Sequence, residues 1–150
     1  MNVTSQLDSL RELSDAKSWY EETLGWRVSL DVGNQRLVMP VGRDVDAITM
    51  PARIGVVVLA QLRIALLAGP VATVPGGRWY TFLTLHAARP LLPAALRSAR
   101  VQLVPRGGQV VIPSGCENDA WRWVEMPRPY CVLPSWSAVI VATKLAVASE

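Results

Sequence analysis

Between residues 7 and 24, Leu10, Leu13, Lys17, Tyr20 and Leu24 fall at three- and four-residue steps, with Ala16 and Trp19 beside them. That spacing puts one buried stripe on one face of a helix. Asp8 or Ser9 is expected to cap its start, and Gly25 to stop it in the left-handed conformation. Over residues 26–32 the period falls to two, with Trp26, Val28, Leu30 and Val32 on one side and Arg27, Ser29 and Asp31 on the other. This predicts a strand, then a Gly33-Asn34 turn and a return strand over 36–41, in which Pro40 marks a strand end or an edge. A short apolar run follows at 47–50, and Pro51 suits the first turn of a helix. The helix predicted over 52–67 is apolar nearly all round, relieved only by Arg53, Gln61 and Arg63, so it is deeply buried or lies in an interface. Gly69-Pro70 ends it.

Two Gly-Gly turns punctuate the second half. Pro75-Gly76-Gly77-Arg78 sits inside a hairpin over 71–85, and Pro105-Arg106-Gly107-Gly108 separates the β-rich runs 101–104 and 109–112. Proline sets φ at the first corner, and glycine takes positive φ without steric cost. After Ile112 a polar loop over 113–120, including Glu117-Asn118-Asp119, leads to a third run at 121–124, so a three-stranded meander is expected. Residues 87–90 read as a loop, 93–99 as one or two helical turns, and 127–134 as a Pro-rich connection. The last element is an apolar helix over 135–149, with Ser135 as its N-cap and Lys144 near its end, where a cation suits the dipole. The order is α-β-β-β-α-β-β-α-β-β-β-α, without an internal repeat. It predicts an α+β fold, one domain over 1–150, with a mainly antiparallel or mixed sheet and flanking helices.

Composition sharpens this picture. Hydrophobic residues make up 51% of the 150-residue chain and charged residues 18%, enough apolar surface for one sizeable core and a hint that a partner covers some of it. The net charge is +3, and 13 of the 15 basic residues are Arg. Arginine suits planar contacts to phosphate or carboxylate, and a GC-rich genome would give the same bias. Residues 1–6 are polar with no apolar leader after them, so a cytoplasmic setting with reduced thiols is expected for Cys116 and Cys131. Two Cys and one His are too few for a conventional zinc site without carboxylates. The most apolar stretch, 54–67, holds Gln61 and Arg63 and is too short to span a bilayer, so no membrane partner is expected.

Few residues offer chemistry. Asp44-Val45-Asp46 is a tight acidic pair, and on a strand its two carboxylates would share a face and could hold a divalent cation. A solvated turn after Gly42 is the structural alternative. His86, the only histidine, has no acidic sequence neighbour to orient it as a base. Neither cysteine has an activating partner in sequence, and no Gly-x-Ser-x-Gly elbow occurs. Trp121 and Trp123 alternate with Arg122 on a strand, an arrangement that stacks bases in some nucleic-acid binders and fills cores in most proteins. Arg78, Arg106, Arg122 and Arg128 lie on or beside the turns, where they could rim a phosphate site.

In order, these motifs resemble the N-terminal domain of bifunctional primase–polymerases, the plasmid and phage branch of the archaeo-eukaryotic primase superfamily. The resemblance rests on Ala16, Tyr20, Gly25-Trp26-Arg27-Val28 and Leu30; on Asp44-Val45-Asp46; on Thr73-Val74-Pro75-Gly76-Gly77-Arg78-Trp79 with Phe82; and on Gln102, Gly107-Gly108, Pro113-Ser114 and Trp121-Arg122-Trp123. It implies a polymerase pocket whose acidic pair is Asp44 and Asp46. Trp79 stands where the family has its nucleotide-contacting histidine, and Gln102 where it has the third metal carboxylate. An indole offers only a donor N–H, and a neutral amide is a poor Mg²⁺ ligand.

The expectation is therefore a catalytically inactive primase–polymerase-like domain without a cofactor. It would act as a binding or scaffold module through protein contacts, self-association included, or through single-stranded nucleic acid at Arg78, Arg106, Arg122 and Trp123. The alternative is a metal-dependent nucleotidyltransferase or nucleotide-binding remnant that uses Asp44 and Asp46 with Mg or Mn.

Overall fold

The computed structural model describes residues 3–116, 119–130 and 132–150. Cys131, and with it any pairing to Cys116, lies outside the described residues, as do Glu117, Asn118 and the first two residues of the polar N-terminal stretch. Helix α1 (Val3–Trp19) continues into one π-helical turn, Tyr20–Leu24, and stops at Gly25 with φ 69°. Asp8 and Ser9 lie inside α1 rather than capping it. Nothing in residues 3–7 breaks a helix, so the helix propagates back beyond its buried stripe.

Strands β1 (Ser29–Asp31) and β2 (Arg36–Pro40) form a hairpin. Its turn is built by Asp31, whose carboxylate accepts the backbone N–H and the side-chain amide of Asn34 at 3.3 and 2.9 Å. The left-handed position falls on Gln35 (φ 50°), not on Gly33, and Val32 leaves the strand to stand exposed. Strand β3 (Val45–Pro51) begins two residues before the predicted apolar run, and Pro51 also serves as the N-cap of α2 (Ala52–Ile64). Then follow β4 (Val71–Thr73), β5 (Trp79–Leu85), α3 (Ala94–Ser98), β6 (Gln102–Leu103), β7 (Gln109–Ile112), β8 (Arg122–Glu125) and α4 (Trp136–Ala148). Ser135 caps α4 by accepting the Ala138 N–H at 3.1 Å. The element order is the one the periodicity predicts.

The pairing of the late strands is not. There are two sheets, ordered β1-β2-β7 and β6-β3-β5-β4-β8, and every paired ladder is antiparallel. The expected β6-β7-β8 meander does not form: β6 pairs with β3, β7 with β2 and β8 with β4. The Pro105–Gly108 turn exists, with its 108-to-105 backbone bond at 3.0 Å, but it carries the chain between sheets. Before it, the Val104 N–H bonds Ala47 of the five-stranded sheet; after it, Gly107 and Gly108 exchange backbone bonds with Val41, each at 3.0 Å.

The five-stranded sheet is covered on both faces. On one, Ile48, Met50, Val71 and Phe82 pack with Ile54, Val58 and Leu62 of α2 and Trp136 and Val139 of α4. On the other, Ala47 and Leu83 pack with Leu13 and Tyr20 of the first helix and with Leu37, Met39 and Ile112 of the smaller sheet. Each fully buried aliphatic or aromatic side chain contributes about 1.5–3 kcal/mol, so both layers are needed. Gly55 lets α2 approach the sheet: a Cβ there would stand 2.6 Å from Tyr80 Cδ2. Among the described residues, no helix is long and apolar enough to cross a membrane.

Candidate functional site

Asp44 lies in the bend before β3, outside the strand, so alternation does not align it with Asp46. Its exposed carboxylate pairs with Arg27 Nε at 3.4 Å. The Asp46 side chain is completely buried, and its partners come from elsewhere in the chain. Arg106 Nε and Nη2 donate to its two oxygens at 3.3 and 3.0 Å, and the Ala87 N–H donates to Oδ2 at 2.8 Å. Exposed His86 brings Nδ1 to 4.0 Å from the same oxygen, an acidic neighbour that sequence proximity could not reveal. Burial alone pushes the Asp46 carboxyl up, but the Arg106 and Ala87 hydrogen bonds, with the charges of Arg106 and His86, hold it below its ordinary range. Arg106 also donates to the Ala87 carbonyl. Its side chain passes over Gly42 (φ 106°), where a Cβ would lie 2.5 Å from Arg106 Cγ.

The positions expected to complete a polymerase pocket do not converge on this carboxylate. Asp46 pairs in register with Thr84, whereas Trp79 pairs with Pro51. Five residues of strand separate them, roughly 17 Å. By alternation Asp46 shares the Ile48 face, while Trp79 and Gln102, which pairs with Thr49, share the opposite face. Among the described residues, no group of three His, Cys, Asp or Glu side chains could hold a metal ion.

The proposed nucleic-acid contacts are likewise dispersed. Trp123 is no open stacking platform: its Nε1–H donates to Tyr20 Oη at 2.8 Å. Its ring stands edge-on to both Tyr20 and Trp26, which stack 5.6 Å apart and 4° from parallel. Tyr20 Oη in turn donates to the Pro113 carbonyl, and burial pushes its phenol up. Three aromatics from separated segments thus fill core space, which outweighs any exposed ring face. Arg106 is taken by Asp46. Arg78 and Arg122 are exposed, on the β4–β5 turn and on β8 beside Thr73, toward the opposite end of β5 from Asp46.

One cleft was not legible in the sequence. A cleft of about 690 Å³ opens between the end of the first helical segment, the connection after α2 and the Pro-rich connection after β8. Leu24, Trp26, Leu66, Met126, Tyr130 and Leu133 supply apolar lining. Arg63, Glu125 and Arg128 supply charge: Glu125 Oε2 accepts from Arg63 Nη2 at 3.0 Å, and Oε1 from Arg128 Nη2 at 3.5 Å. Such an apolar wall with a few convergent polar groups is the usual form of a ligand site. The lining comes from connections and from the ends of elements distant in sequence, so no single pattern announces it; the Pro-rich run 127–134 is the one stretch that marks part of it.

A second cleft, about 510 Å³, includes Glu12, Arg36, Cys116, Asp119 and Trp121. Asp119 is committed to the loop, accepting from Ser114 N–H and Oγ at 2.8 Å each and from the Trp121 N–H at 2.9 Å. Burial pushes the Cys116 thiol up, with Glu12 and Asp119 adding to the effect against a hydrogen bond with Ser114, so it is a poor nucleophile at neutral pH.

Comparison with protein-family models, curated proteins and solved structures returned no match for this chain.

Proposed function

We propose that this chain is a non-catalytic binding module of primase–polymerase-like descent, working through protein contact and, first of all, through association with a second copy. The observation that carries this reading is the outer face of the helical layer. Val56, Val57 and Ile64 on α2 and Val141 and Leu145 on α4 are exposed, Ile64 at 84% and Leu145 at 57%. Val57 and Ile64 lie seven residues, about two turns, apart on α2, and Val141 and Leu145 lie one turn apart on α4, two helices that both pack against the same sheet face. An apolar stripe of this kind on a surface helix marks an association surface. At its ends Arg53 pairs with Glu150 at 3.0 Å and Arg63 with Glu125 at 3.0 Å, so neither arginine leaves its charge unmatched on the face itself.

The state of Asp46 supports a binding role over the metal-dependent alternative. Both of its oxygens are already held by a guanidinium, which a divalent cation would have to displace.

Light scattering on the purified chain tests the reading. The expected particle is twice the 16.4 kDa monomer, and Val57→Glu with Leu145→Glu returns it to the monomer while the fold survives. A monomer at all concentrations, or a dimer indifferent to those substitutions, overturns it.

A further inference from the structure

We infer that the 690 Å³ cleft is a binding site for a small amphipathic anion, an apolar body carrying one oxyanion group. The inference is independent of self-association through α2 and α4.

The charge balance points to an anion. Both oxygens of Glu125 are occupied by the guanidiniums of Arg63 and Arg128, so a cationic ligand would have to break an existing pair. Two guanidiniums face one carboxylate, leaving one positive charge in excess. Each guanidinium has five N–H donors, and Glu125 takes one from each. Glu125 is nearly buried, while the Arg side chains are 50% and 69% exposed, so the spare donors stand at the mouth. A planar fork of this kind matches carboxylate or phosphate oxygens. The volume falls within the roughly 300–1,000 Å³ of small-molecule sites.

The lips of the cleft point the same way. Leu66 (φ 60°) and Tyr130 (φ 65°) are both non-glycine residues in the left-handed region, 91% and 104% exposed. Leu66 occupies the position after α2 where a Schellman-type cap, here the Leu67 N–H to the Leu62 carbonyl at 2.8 Å, ordinarily takes glycine. A strained, solvent-exposed leucine gains nothing from the chain's own packing. Its apolar side chain on the rim has a use when a ligand lies under it.

The test uses 1-anilinonaphthalene-8-sulfonate, followed by fluorescence, with 1-naphthoate and the neutral 1-naphthalenemethanol as competitors. One saturable site is expected, with naphthoate competing at least ten-fold better than the alcohol. Arg128→Glu should weaken the dye at least ten-fold, Leu66→Gly should weaken it several-fold, and Val57→Glu should leave it unchanged. Thermal melts of each variant separate lost binding from lost fold. Equal competition by the neutral alcohol, indifference to Arg128→Glu in a folded variant, or loss on Val57→Glu would each overturn the assignment, the last by moving the dye to the helical face.

Discussion

Arg106 closes on Asp46 across 60 residues of chain, with Nε and Nη2 donating to the two carboxylate oxygens at 3.3 and 3.0 Å. The arginine belongs to the turn between β6 and β7, and the aspartate to β3. The same guanidinium reaches the Ala87 carbonyl in the loop after β5. One side chain therefore ties the crossing between the two sheets to β3 and to the loop after β5. A residue expected to contact phosphate and one expected to hold metal instead neutralise each other.

Removing the guanidinium leaves a buried carboxylate with only the Ala87 N–H. Breaking a buried pair in this way costs about 3–5 kcal/mol, and the lower end applies because the Arg106 side chain is itself 35% exposed. Arg106→Ala should therefore lower unfolding free energy by about 3 kcal/mol in urea titrations. Asp46→Ala, which frees an arginine able to reach water, should cost less. Equal costs would mean that the pair's energy does not lie in the stranded carboxylate.

The pH profile follows from the sign of the Asp46 shift. Its folded pKa is depressed, so its contribution is complete above the ordinary carboxylate range, at about pH 4. It is lost as pH falls through the lower folded value. Asp31, held down first by the Asn34 side-chain and backbone hydrogen bonds, acts in the same direction at the surface. Urea midpoints measured from pH 6 to pH 2 should stay level at first and then fall on the acid side. In Arg106→Ala burial is less opposed, so the acid-side fall should shrink or reverse.

Gly42 is where the arginine passes. At φ 106° a side chain is strained, and a Cβ would stand 2.5 Å from Arg106 Cγ. Gly42→Ala must therefore displace Arg106 as well as strain its own backbone. A double-mutant cycle with Arg106→Ala should be clearly sub-additive, by about 1 kcal/mol or more, because both substitutions break the same contact. Additive costs would show that Arg106 moves aside with its pair to Asp46 intact.

Leu66→Gly should stabilise the chain by about 1 kcal/mol, the cost of an L-residue in the left-handed region, read as a rise in melting temperature. Arg100→Gly is the matched control. It sits after α3 at φ 67°, with the Val101 N–H bonded to the Leu96 carbonyl at 3.0 Å, in the same kind of cap. Both substitutions should stabilise, while only Leu66→Gly should alter dye binding in the cleft.

What depends on neighbours along the chain was legible in the residues. Helical and strand periods set the order of elements, Gly25 stops the first helical segment, and Ser135 caps α4. The Gly-Gly turns take positive φ, at 93° and 69° for Gly76 and Gly77 and at 89° for Gly107. Each of these outcomes is decided within a few residues by sterics and local hydrogen bonding. Tertiary structure decided which strands meet: Val110 and Ile112 bury their side chains in the layer behind the larger sheet, so β7 leaves β6 for β2. It also decided that Asp46 points away from Trp79 and Gln102, because the faces of a sheet are assigned only when its register is fixed. The cleft and the Arg106–Asp46 pair join segments distant in sequence, whose meeting depends on burying apolar surface across the whole chain. Periodicity carries no record of such a meeting.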